Sequence, residues 1–145
     1  MVQVRQILDN KGREVVTISP QATVFEALTK LAEHNIGALP VLADGELVGI
    51  FSERDYARKI ILLGKDSKNT TVGEIMSTKV LFVTPETTNW QCMALMNDKR
   101  IRHLPVMSEG RLEGFVSIGD VVKSIVAEQR FHIEQLERYI TRGSS

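Results

Sequence analysis

Ile36-Gly37-Ala38-Leu39-Pro40-Val41, followed by Gly49-Ile50-Phe51-Ser52-Glu53-Arg54-Asp55, returns later in the chain in the same order and at the same spacing. The second copy reads Ile101-Arg102-His103-Leu104-Pro105-Val106 and then Gly114-Phe115-Val116-Ser117-Ile118-Gly119-Asp120. Working outward, Val15 to Ile60 lies over Val80 to Ile125 without a gap, at a separation of about 65 residues. The identities include Pro20/Pro85, Thr23/Thr88, Gly45/Gly110, Gly49/Gly114 and Asp55/Asp120. These are residues with special backbone or polar roles, which a chance match of apolar residues would not favour. The chain reads as one module of two similar halves, and any site should come in two versions.

The 145 residues suit one compact unit, because each half alone would bury too little apolar surface to be comfortably stable. Eighteen basic and eighteen acidic side chains cancel, so no overall field draws the protein to nucleic acid or to an anionic membrane. Any anion binding must come from local patches. The lone Cys92 can form no intramolecular disulfide and falls in an apolar pattern that suggests a buried small hydrophobe. No apolar run approaches the roughly 18 to 20 residues that span a bilayer, and the N-terminal MVQVRQILDN lacks the apolar core of a signal peptide. A cytoplasmic protein without a membrane partner is expected.

Each half opens on a β-branched run, Val15-Val16-Thr17-Ile18 or Val80-Leu81-Phe82-Val83, that stops at a Ser-Pro or Thr-Pro step and reads as a strand. Thr23-Val24-Phe25-Glu26 and Thr88-Asn89-Trp90-Gln91 carry the spacing of a capping box and start a helix in each half. Two further strands follow, joined by Asp44-Gly45 or Glu109-Gly110, and despite Pro40 and Pro105 they read as hairpins. A closing helix begins at Ser52 or Ser117. The expected fold class is therefore α/β, with two β-α-β-β-α repeats related by a pseudo-two-fold axis, an N-terminal helix and an extended C-terminal helix. Residues 8–64 form repeat one, the polar and uncapped segment 65–71 a linker, 72–127 repeat two and 128–145 a helical tail. Val122, Val126, Ile133, Leu136 and Ile140 follow a seven-residue seam interrupted by Gln129. That spacing suits packing on the chain's own module or pairing with another subunit.

Two gapless repeats with a Leu-Pro-Val strand, a Gly turn and Gly-x-x-Ser-x-x-Asp resemble a tandem CBS-domain protein, a Bateman module of the small stand-alone bacterial type. The resemblance covers roughly residues 8 to 127. It implies two clefts between the repeats that bind adenosine ligands such as AMP, ADP, ATP, NAD or S-adenosylmethionine. It also implies a homodimer that reports occupancy to a protein partner by a conformational change, with the nucleotide as ligand and no catalytic cofactor.

A carboxylate at a helix start can accept hydrogen bonds from both hydroxyls of a ribose while staying ionised, and Asp55 and Asp120 suit that task, with Ser52 and Ser117 beside them. The same Ser-x-x-Asp also caps a helix with no ligand present, and both roles can coexist. On the resemblance, Thr17, Ile18 and Ala22 line one adenine pocket, and Phe82, Val83 and Thr84 the other. Ile36, Gly37, Ala38 and Leu39, or Ile101 and Leu104, complete the walls. Arg102 and His103 match positions that contact phosphates in some members, and Arg54 can assist at the first site, where repeat two has Gly119 instead. The two sites are therefore expected to be unequal. The rival readings are a scaffold with degenerate clefts and a nucleotide-processing enzyme. Against the enzyme, His34, His103 and His132 show no metal-ligand spacing, and no nucleophile elbow or phosphate loop occurs. Nucleic-acid binding through Lys99 to His103 ranks lower, since the patch is short and lacks an aromatic platform.

Overall fold

The computed structural model describes residues 1–143. Its elements are α1 (Val4–Lys11), α2 (Val24–His34), β1 (Ala38–Ala43), β2 (Glu46–Ser52) and α3 (Glu53–Tyr56), which runs on into a π-helical turn at Ala57–Ile61. Then come α4 (Val72–Ile75), α5 (Asn89–Lys99), β3 (His103–Ser108), β4 (Arg111–Ser117) and the long α6 (Ile118–Gly143). Both hairpins have the same register, with Leu39 opposite Phe51 and Leu104 opposite Val116, and the same bulge after Val41 or Val106. Both turn residues have positive φ, at Asp44-Gly45 and at Glu109-Gly110, and this matches the twist of the flanking strands. The caps also form: Thr88 accepts from the Gln91 N–H, Gln91 accepts from the Thr88 N–H, and Thr23 accepts from the Glu26 N–H.

The expected first strand of each repeat shrinks to a single bridging residue, Ile18 beside Val41 and Val83 beside Val106. Ile18 donates its N–H to Pro40 O at 3.1 Å and accepts from the Leu42 N–H at 2.9 Å; Val83 does the same with Pro105 and Met107. A parallel ladder could grow further only through an N–H on residue 20 or 40, or on 85 or 105. All four are prolines, which lack that donor. The segment read as an uncapped linker also differs, because Thr71 caps α4 in a reciprocal box with Glu74. The pattern Thr71-Val72-Gly73-Glu74 carries that signal in four residues.

Each repeat completes its core with the helix that precedes the other. Val72 and Ile75 of α4 pack with Ile18, Val24, Leu31, Leu39, Val41, Phe51 and Ile60. Val4, Ile7 and Leu8 of α1 pack instead with Val83, Cys92, Met96, Leu104, Val106, Val116 and Val121. Matching backbone bonds fix the exchange: Val72 N–H to Ala22 O and Val24 N–H to Thr70 O in one half, Val4 N–H to Thr87 O and Asn89 N–H to Val2 O in the other. At full burial the three apolar side chains of α1 contribute roughly 1.5–3 kcal/mol each, comparable to the whole net stability of a small domain.

The exchanged helices cross the hairpins at Gly49 and Gly114. A Cβ on Gly49 would fall 2.6 Å from Met76 Sδ and 3.0 Å from Ser77 O, and one on Gly114 would fall 2.6 Å from Leu8 Cδ2. Gly49→Ala should therefore destabilise the protein by about 1–3 kcal/mol through overpacking. Met76→Ala placed in the same chain should relieve most of that cost, a coupling that urea unfolding of the two single variants and the double variant will read.

Candidate functional site

A cleft of about 420 Å³ opens between the two repeats, within the size range of small-molecule sites. At its floor lies Asp55, which is 6 % exposed. Ser52 begins α3, and its N–H and hydroxyl reach Asp55 Oδ2 at 3.0 and 3.1 Å while Ser52 Oγ accepts the Asp55 N–H at 3.2 Å. Asp55 Oδ1 takes the Ser77 hydroxyl at 3.1 Å and the Lys59 ammonium at 3.3 Å. The capping role of Ser-x-x-Asp is thus realised in full. A diol reaching this carboxylate must replace a protein hydroxyl, and the Ser77 hydroxyl, held by one side-chain rotor, is the simplest to displace.

Ile50, Val80, Leu81 and Ile101 give the cleft an apolar wall, and Arg54, Lys79 and Arg102 supply cations. Arg54 crosses between the repeats, donating from Nη1 to Arg100 O at 3.1 Å. The backbone N–H groups of the α3 start contribute less than expected, since Glu53 N–H already bonds Gly37 O and Asp55 N–H already bonds Ser52 Oγ.

Ser52, Asp55 and Arg54, expected at the first site, line this cleft with Gly37, and the repeat-two residues Ile101, Arg102 and His103 join them there. Other expected wall residues lie elsewhere. Ile18, Leu39, Val83 and Leu104 are buried in the two cores, Ala38 is buried at 1 % exposure, and Ala22 and Ile36 pack against the first core. The Thr17 carbonyl is held by Lys30 Nζ at 2.8 Å. Phe82 and Thr84 line a separate, shallower depression beside Met107 to Gly110. The displacement has a physical cause: Val83 is the bridging residue of its segment, so its side chain goes into the core and Val80 and Leu81 meet the cleft instead. Ile50, Glu53, Ser77, Lys79, Val80 and Leu81 line the cleft without being among the expected site residues. Ser77 pairs with Ile50 along the β2 edge, a long-range contact with no local sequence signal.

The second Ser-x-x-Asp is built alike but surrounded differently. Ser117 N–H donates to Asp120 Oδ2 at 2.8 Å, and Asp120 N–H to Ser117 Oγ at 3.2 Å. Lys11 Nζ, from the end of α1, lies 2.5 Å from the same carboxylate oxygen. Burial alone would raise the Asp120 carboxyl, but bonds from Lys11 and from the Ser117 N–H hold it below the usual carboxylate range. The His103 ring stacks on Phe115 with centroids 5.5 Å apart and a 12° tilt. Burial pushes its imidazole down to about 4, with the Lys11 charge adding to the effect. His103 therefore faces the cleft as a neutral group, able to hydrogen-bond a phosphate but not to neutralise it.

A CBS domain family model matches residues 4–62 and 72–127, and the chain belongs to that family. It is 42 % identical to the mitochondrial CBS domain-containing protein CBSX3 of Arabidopsis thaliana, over 97 % of this chain and 72 % of that one. A solved CBS-domain protein from Burkholderia ambifaria is 46 % identical, covers 88 % of this chain and 96 % of its own, and superposes with a TM-score of 0.85. The CBS domain pair of protein MJ0100, solved with 5′-methylthioadenosine and S-adenosyl-L-methionine, is 26 % identical over 88 % of this chain and 98 % of that one, with a TM-score of 0.78. Among the described residues no helix is long and apolar enough to cross a membrane.

The His103 shift predicts a pH dependence. The unfolded chain binds this proton near pH 6.5 and the folded protein only near 4. Stability from this source is complete above about 6.5, falls as pH drops, and levels off below about 4. Between pH 7 and 5 the loss should be on the order of 1–2 kcal/mol, allowing for partial exposure. Asp120, Glu74 and Glu128, also held low, act near and below their ordinary values of 3.8 and 4.5, outside that window. Urea unfolding at pH 7 and 5 should show this slope, and His103→Gln should flatten it.

Proposed function

We propose that this protein is a regulatory module, not an enzyme, that binds an adenosine nucleotide in the cleft above Asp55. The observation that carries the reading is one buried carboxylate with two serine hydroxyls, placed between an apolar wall and three cations. Asp55 with Ser52 suits a ribose, the wall of Ile50, Val80, Leu81 and Ile101 suits a purine, and Arg54, Lys79 and Arg102 suit phosphates. The phosphate-side charge favours AMP, ADP, ATP or NAD over the uncharged 5′-methylthioadenosine seen with protein MJ0100. Cys92, the one thiol, is buried with its pKa pushed up to about 11, which leaves it a poor nucleophile.

The output surface is α6. Glu128 ties it to the body, accepting from the Val2 N–H and the Trp90 indole N–H. Beyond it every residue from Gln129 to Ile140 is exposed, so the tail does not pack on its own module. An isolated helix of this length is marginal in water. Val126, Ile133 and Ile140 alternate with Val122, Gln129 and Leu136 at spacings of three and four, the register of a two-helix seam with β-branched residues on one set of positions. The arm pairs with the arm of a second copy, making a homodimer through which occupancy of the clefts reaches a protein partner.

Thermal-shift and calorimetric titration with AMP, ADP, ATP and NAD test the cleft. At least one should bind, and Asp55→Asn should weaken it by about 1.5–3 kcal/mol, roughly tenfold to a hundredfold. No binding by any of them would overturn the reading. For the arm, Ile133→Asp with Leu136→Asp should convert the dimer to monomer in sedimentation velocity while leaving the module folded; a wild-type monomer would remove the arm from the mechanism.

A further inference from the structure

The second Ser-x-x-Asp starts its helix as the first does, yet a lysine from outside its repeat already holds its carboxylate. Lys11 Nζ donates to Asp120 Oδ2 at 2.5 Å and to Phe115 O at 2.7 Å. The equivalent of Phe115 in repeat one is Ile50, whose carbonyl takes the Ser77 N–H at 2.9 Å. A side-chain ammonium therefore stands in repeat two where a backbone amide stands in repeat one. At Asp55 the nearby cation, Lys59, comes from the next turn of the same helical segment and shares Oδ1 with the Ser77 hydroxyl, while Ser52 holds Oδ2. Lys11 instead arrives from outside repeat two, on the exchanged helix.

The placement of Lys11 follows from the packing. Leu8 is clamped against Gly114, and Lys11 lies three residues on, so both share one face of α1 and the ammonium is carried to Asp120. Lys11 also sits at the α1 C-terminus, where a cation is favoured by the helix dipole. His103 fills the adjoining space, with its ring stacked on Phe115 and its Cε1 3.5 Å from where a Gly37 Cβ would be. The matching residue of repeat one, Ala38, has no such bulk.

We propose that Lys11 is a built-in counter-ligand that occupies Asp120 in place of a ribose diol and so restricts nucleotide binding to the cleft above Asp55. This rests on the proposed function of that cleft and sets the stoichiometry of the module at one nucleotide per chain. Removing the ammonium unmasks a second site, with an affinity at least tenfold higher than wild type shows there.

Isothermal titration calorimetry of the full chain with ATP and, separately, with AMP tests this in wild type, Lys11→Ala and Lys11→Gln. Lys11→Gln keeps the length of the side chain and guards against a folding defect in Lys11→Ala. The expected result is one equivalent bound by wild type and two by both variants, the second lost in Lys11→Gln/Asp120→Asn and the first lost in Lys11→Gln/Asp55→Asn. Two equivalents in wild type, or one in every variant, overturns the counter-ligand. Binding only in the Lys11 variants, sensitive to Asp120→Asn alone, upholds it and rejects the Asp55 cleft. No binding in any protein overturns both.

Discussion

The fold depends on the exchange of helices between its two halves. Neither hairpin has enough apolar partners within its own repeat, and each is covered by a helix that belongs, in sequence, to the other. Val72 and Ile75 close the first core, Val4, Ile7 and Leu8 the second, and glycines at 49 and 114 let them approach. With several kcal/mol resting on three side chains of α1, the halves are obligate partners, and the cleft between them is fixed by the same contacts that stabilise them.

That cleft is where the copies part. The frame around Asp55 and Asp120 is shared to the level of single hydrogen bonds: Ser N–H to carboxylate, Asp N–H to Ser hydroxyl, and the next N–H to the carbonyl of Gly37 or Arg102. What differs lies outside the Ser-x-x-Asp frame. Ser77 and Lys79 line the first cleft, as does His103, while Lys11 holds the second carboxylate. A neutral His103 beside the Lys11 ammonium is what burial dictates, because two cations so close would repel.

Most of the frame could be read from the amino acids. The gapless repeat, the Thr-x-x-Gln and Ser-x-x-Asp caps and the Asp-Gly and Glu-Gly turns are local signals, since each joins residues within about four positions. The first strands are shorter than their composition suggests, because β propensity is visible in Val15 to Ile18, whereas the loss of the ladder to four prolines appears only once the partner strand is known. The site was half legible. Ser52, Asp55, Arg54 and Arg102 stood out by chemistry, but Ser77, Lys79 and Lys11 reach their carboxylates or clefts through pairings across tens of residues. The tail seam was visible too, but only the structure shows that Gln129 to Ile140 are exposed.

The exchange also orders events during synthesis on the ribosome. Repeat one can close as soon as Ile75 has emerged, but α1 must wait for Gly114, Val116 and Val121, made more than a hundred residues after it. Through that interval the nascent chain carries an amphipathic segment whose apolar side chains have no seat. Vectorial translation thus makes α1 wait for partners that are made long after it.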